Sequence, residues 1–181
     1  MRSHGLLILP IVLLVGCGGS TDSSDTAMVE PPAAPVASPE ASDSRVIDAG
    51  ETDAMLAVLR ADTSSDKRVW LIVSPGSPET MTLGAALETV FREGGWQPTT
   101  QRLTGMVLKP GPVRILVGDE LESPAVDSVR RALEAGGLTT ETGTGYRAFY
   151  EERKRDNPNW AGIPMEAEQA FVVVIAPRPA A

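Results

Sequence analysis

The sequence predicts a single α/β domain on a mixed sheet of about five strands, with an α+β layout as the alternative. Three observations point there. Short β-branched runs alternate with amphipathic helical segments. A strand–helix–strand pattern occurs twice at nearly constant spacing. The joint between the two copies, Thr104 to Pro112, is too short to carry a parallel crossover helix.

The elements follow in chain order. Met55, Leu56 and Leu59 predict a helix around Thr52 to Ala61. Val69-Trp70-Leu71-Ile72-Val73 reads as a buried strand. Ser77-Pro78 starts the next helix, with serine as N-cap and proline at the first helical position. Leu83, Leu87, Val90 and Phe91 then share one helical face, and Gly94-Gly95 ends the helix. Trp96 to Leu103 reads as a second, weaker strand.

The second copy begins with the strand Val113-Arg114-Ile115-Leu116-Val117. Ser123-Pro124 opens its helix, Val126, Val129 and Leu133 line one face, and Gly136-Gly137 closes it. Leu138 to Thr142 is the next strand. Tyr146 to Arg155 reads as a helix, and Ala170 to Ala176 as the last strand. The offsets between copies are 44 for Val69 to Val113, 46 for Ser77 to Ser123 and 42 for Gly94 to Gly136.

The β-α-β-β-α-β order favours a ferredoxin-like split arrangement. Residues 69–73 and 171–175 are apolar on both faces, which calls for cover on both sides of the sheet. The expectation is two main helices on one face and the extra helices partly covering the other.

Before this domain lies a different kind of chain. Met1 to Gly5 carries one basic side chain, Arg2, and an apolar run follows from Leu6 to Val15. As a helix the run would span roughly 15 Å, half a bilayer core. That is the layout of a cleaved secretory signal. Gly18 to Ser44 has no aromatic, Leu, Ile, Lys or Arg, and Pro31, Pro32, Pro35 and Pro39 stiffen its middle. Such a segment buries too little apolar surface to offset the entropy of ordering it. The expected organisation is a signal peptide over 1–16, a disordered tether over 17–45 and the α/β domain over 46–181.

Leu14-Val15-Gly16-Cys17 resembles the lipobox of bacterial lipoproteins. The resemblance implies cleavage before Cys17 and attachment of lipid, palmitate included, to that residue. It places the protein in the cell envelope, membrane-bound and facing away from the cytoplasm. Gly18 after the cysteine is similar to lipoproteins sent to the inner leaflet of a Gram-negative outer membrane. Within the domain, Val69–Trp96, Val113–Leu138 and the run Phe171 to Pro179 look like a group of uncharacterised α/β domains at the ends of bacterial membrane proteins. That group commonly ends in Val-Gly-x-Lys-Pro; this chain departs from it at Ala176 and Arg178. The likeness implies no activity.

Charge and composition restrict the chemistry. The chain carries a net charge of −8, with 24 acidic residues. Removing residues 1–16 takes away Arg2 and the only histidine, His4, leaving a net charge of about −9. An acidic chain is a poor match for nucleic acid, whose phosphates need a basic patch. With Cys17 lipidated, the mature protein has neither thiol nor imidazole. Ser-His-Asp and Cys-His catalysis and His or Cys metal sites are thereby excluded. Carboxylate chemistry, a Ser–Lys pair or no catalysis remain, and no cofactor or metal is expected.

Two places carry candidate residues. The loop Gly118 to Ser123 brings Asp119, Glu120 and Glu122 to a helix N-terminus, as an acid–base pair, a hard-cation ligand set or solvated charge. Tyr146, Phe149, Tyr150 and Arg153 form a stripe down one helix face, with Trp160 just beyond. That stripe is either a binding surface or the face packed on the sheet. The composite expectation is a lipid-anchored, non-catalytic module presenting a binding domain to an envelope partner. A carboxylate-based envelope hydrolase and a mainly structural lipoprotein are the alternatives.

Overall fold

The chain divides into a unit of residues 1–40 and a unit of residues 41–181. The computed structural model describes residues 45–103, 106 and 108–178, all in the second unit. The signal sequence, Cys17 and the tether as far as residue 44 lie outside the described residues.

The elements run α1 (Ala49–Ala61), β1 (Arg68–Val73), α2 (Pro78–Glu93), β2 (Gln97–Arg102), β3 (Val113–Val117), α3 (Pro124–Ala135), β4 (Thr140–Gly143), α4 (Tyr146–Asp156) and β5 (Phe171–Ile175). The five strands form one sheet in the order β2-β1-β5-β3-β4. β1 is parallel to β2 and to β5, β3 is parallel to β4, and β3 is antiparallel to β5. This is a single mixed-sheet α/β domain with two β-α-β units.

The ferredoxin-like split arrangement does not occur. A split unit would place a foreign strand between the two strands of each β-α-β unit; here β1–β2 and β3–β4 are direct neighbours. The slot between the halves goes to β5 instead. Apolarity ranks the strands from the centre outward. β5 is buried throughout and β1 along all but its first residue, while β2 and β4 are largely exposed at the two edges.

The two faces have separate cores. Val69, Leu71, Val73, Val113, Ile115, Val117, Phe171, Val173 and Ile175 pack under the buried faces of α1, α2 and α3. Trp70, Ile72, Val172 and Val174 point the other way, with Leu108, Ile163 and Ala176. α1 thus joins the main helices, contrary to the expectation that both extra helices partly cover the opposite face; α4 alone contributes there, through Tyr146. The apolar stripe of α1, Met55, Leu56 and Leu59, needs a helical groove, and α2 and α3 offer one. The opposite face is covered by the connector around Leu103, Met106 and Leu108, by Ile163 and Met165, and by Tyr146.

The two Gly-Gly pairs explain how α1 fits. A Cβ on Gly94 would lie 2.7 Å from Leu59 Cβ, and one on Gly136 would lie 2.5 Å from Met55 Sδ. The first glycine of each pair lets α1 approach; the second, Gly95 (φ +83°) or Gly137 (φ +69°), supplies the left-handed turn. Both ends of α1 are also tied by charged side chains. Arg45 donates to Glu79 Oε1 at 2.5 Å and to the Ala176 carbonyl. Asp62 accepts hydroxyl bonds from Ser64 and Ser128 at 2.8 and 2.7 Å.

Candidate functional site

The two candidate regions meet at the end of the sheet where β5 begins. There Gly118 N donates to the Ala170 carbonyl, Gly145 N to Asp119 O at 2.7 Å, and Arg147 N to Gly118 O at 3.1 Å. The described chain enters at the other end of β5, where Arg45 binds the Ala176 carbonyl.

The acidic loop is bound up with helix termini. Ser123 caps α3 by accepting from Val126 N, as expected; Ser77 makes no such side-chain bond. At α2 the Thr80 hydroxyl bonds the Ser74 and Ser77 carbonyls instead. The Glu120 carboxylate lies against Gly145, where a Cβ would sit 2.6 Å from Oε1. Gly145 is the N-cap of α4, in the left-handed region at φ +68°, and has no side chain with which to cap it. The carboxylate therefore supplies negative charge at the positive end of the helix dipole. Asp119 and Glu120 border an open cleft of about 480 Å³ with Arg147 and Glu151; Glu122 is not in its lining. Among the described residues no group of three or more His, Cys, Asp or Glu converges as a metal site.

A larger cleft of about 530 Å³ lies between residues 61–66 and the first turns of α3. Its carboxylates are all engaged. Asp66 pairs with Arg68, and Asp127 with Arg130 and Arg131. Asp62, its side chain 3% exposed, lies 3.9 Å from Lys67 Nζ. Burial pushes the Asp62 carboxyl up, but the hydroxyls of Ser128 and Ser64 and the Lys67 charge outweigh it and hold it below the usual carboxylate value. These pairs tie loop to helix and leave the cleft no unspent charge of its own. Asp62 and Arg45 escaped the sequence reading, because nothing local marks a polar residue as a long-range tie.

α4 is the unusual element. It buries none of its residues, although it carries Tyr146, Phe149 and Tyr150. Tyr146 is half-buried against the second core, and its hydroxyl accepts from Ile163 N at 3.1 Å. Burial raises its phenol above the usual range. The other rings turn outward and gather on Trp160. Ring centroids are 5.8 Å apart for Phe149–Trp160 and 5.6 Å for Tyr150–Trp160, both edge-to-face. Phe149 is 41% exposed, and the Arg153 guanidinium lies 5.1 Å from its centroid.

The segment after α4 holds Trp160 in place. Lys154 Nζ donates to Pro158 O, Asn159 N to Asn157 Oδ1, and Trp160 N to Asn157 O. The Trp160 benzo ring lies so close to Gly162 that no side chain fits there. Arg147 bonds the Glu166 and Gln169 carbonyls at 3.0 and 3.1 Å and anchors the return toward β5. Tyr146, Tyr150 and Trp160, singled out in the sequence, are thus brought together. Asp119, Glu120 and Glu122 are not brought into that cluster.

Comparison with protein-family models, with curated proteins and with solved structures finds no match.

Proposed function

We propose that this protein is a membrane-anchored envelope lipoprotein whose α/β domain is a non-catalytic binding module. The observation that carries the binding role is α4. A helix that buries nothing normally displays polar residues all round. This one keeps three aromatic side chains on one stripe, joins them to Trp160, and leaves Phe149 substantially exposed. Aromatic clusters of this kind, rigid and amphipathic, are frequent centres of protein interfaces. The anchor rests on the lipobox-like Leu14-Val15-Gly16-Cys17. That no helix among the described residues is long and apolar enough to cross a membrane is compatible with a lipid attachment.

Two substitutions test the two halves of this proposal. Cys17→Ser should release the protein from membranes or block its processing; unchanged fractionation and migration would end the lipoprotein reading. Trp160→Ala removes the hub of the cluster, a residue that belongs to neither core. The variant should lose partner binding while unfolding at a urea midpoint close to that of the parent chain. A large stability loss with partner binding intact would make the cluster a packing device.

A further inference from the structure

We propose that the Arg45–Val46 bond is a latched processing site, at which a trypsin-like protease cuts the domain from its anchored tether once a clasp on Arg45 opens. The inference rests on the lipoprotein reading above and adds a control on the attachment.

The sequence singles out the bond. A protease of this class takes a Lys or Arg side chain into its specificity pocket. Residues 17–44 contain neither, so Arg45 is the first basic residue of the mature chain. The next is Arg60, inside α1. A cut after Arg45 lies ahead of α1 and leaves every described helix and strand whole. Water adds across the amide, leaving a carboxylate on Arg45 and an ammonium group on Val46.

The side chain that such a protease must grip is already held. Arg45 Nε donates to Glu79 Oε1 at 2.5 Å, and its Nη2 donates to the Ala176 carbonyl. The Arg45 side chain is only 12% exposed. Glu79 stands in the first turn of α2, and Ala176 directly follows β5. Burial pushes the Glu79 carboxyl up. The hydrogen bond and charge of Arg45, with backbone hydrogen bonds from Arg178 and Arg45, outweigh it and hold the group below its usual value. Glu79 is thus a carboxylate at neutral pH, and its bond with Arg45 is charge-assisted.

The residues after the bond are held as well. Val46 is 65% exposed, but Ile47 packs against the first core. Asp48 and Glu51 then cap α1 reciprocally, at 2.8 and 2.9 Å. An arginine bound on two sides cannot enter a protease pocket, so cutting waits for a local opening. Arg45 belongs to no helix or strand, and the clasp can open while the sheet stays intact. The clasp therefore sets the rate at which the domain is shed.

The test uses the full chain in its native membranes, with trypsin as the protease. Mass spectrometry follows the fragment that begins at Val46, and sedimentation follows its release. A synthetic peptide of residues 40–50 gives the rate for the open bond. The parent chain should be cut there about a hundredfold more slowly than the peptide. Glu79→Gln keeps the size and loses the charge. Arg45→Lys keeps a trypsin site and loses the fork, and is compared with a peptide carrying the same change. Each should speed the cut by about tenfold. Cutting after Arg60 should keep the parent's rate, which separates an opened clasp from a loosened fold. A parent chain cut as fast as the peptide, variants cut no faster than the parent, or an equal acceleration after Arg60 would overturn the proposal. A chain cut at the expected rates that never sediments with membranes would overturn the anchor and leave the latch standing.

Discussion

Asp62 shows how much one polar residue contributes to this fold. Its carboxylate bridges the end of α1 to Ser128 on α3 and is almost entirely removed from solvent. Asp62→Ala should therefore cost about 1–3 kcal/mol at neutral pH by stranding its buried hydroxyl partner. The pH dependence has a definite sign. The carboxyl is held below its usual value in the folded protein, so its contribution is complete above about pH 4. It is lost as pH falls through the lower folded-state value. Urea midpoints at neutral and acid pH should show a smaller acid loss in Asp62→Ala than in the parent chain. The glycine pairs make a second residue-scale comparison. Gly94→Ala forces a Cβ onto Leu59 and should cost about 1–3 kcal/mol through overpacking. Gly95→Ala meets nothing within 4 Å and should cost about 1–2 kcal/mol from backbone strain alone. Urea denaturation of the two single variants reads both costs.

At the scale of elements, β2 illustrates how an edge strand is kept from pairing with another chain. Gln97 N and Leu103 N donate to Lys67 O and Val73 O, so residues of odd number face β1. Pro98, Thr100 and Arg102 then face the free edge. Proline stands where its missing N–H removes a donor from the exposed ladder. Pro98→Thr should restore that donor and promote self-association, seen as a rise in weight-average mass by analytical ultracentrifugation. An unchanged monomer would show that the polar side chains of the strand suffice. The same strand marks how far the elements were legible. All nine, from α1 to β5, follow from apolar period and Gly/Pro punctuation, with ends shifted by a residue or a few. Strand order was not legible, because β-α-β-β-α-β admits both split and unsplit pairings. The clue lay in composition: Phe171-Val172-Val173-Val174-Ile175 is apolar enough to demand the centre, and Gln97-Pro98-Thr99-Thr100-Gln101-Arg102 polar enough to accept an edge. The α4 stripe was visible as a period, but periodicity cannot tell a face packed on a sheet from one turned outward. That depended on Trp160, which closes over Phe149 and Tyr150 from a separate segment.

For the whole molecule, the two ends of β5 carry different features. The described chain enters beside the end of β5, at Arg45 and Ala176. The acidic loop and the start of α4 meet at the beginning of β5, where Gly118 bonds Ala170 and Arg147 bonds Gly118. The chain's net charge of −8 discourages adventitious anionic contacts. The carboxylates of residues 119–122 take part as helix-terminal charge at α4, through Glu120 against Gly145, more readily than as a paired acid and base. The most direct measurement is photocrosslinking in native membranes, with a benzophenone amino acid replacing Phe149 in the full chain and, as a control, Arg92 on the opposite helical layer. The account predicts one discrete, identifiable protein adduct at position 149, abolished by Arg153→Glu and absent at position 92. No adduct at 149, or the same set of adducts at both positions, would contradict it.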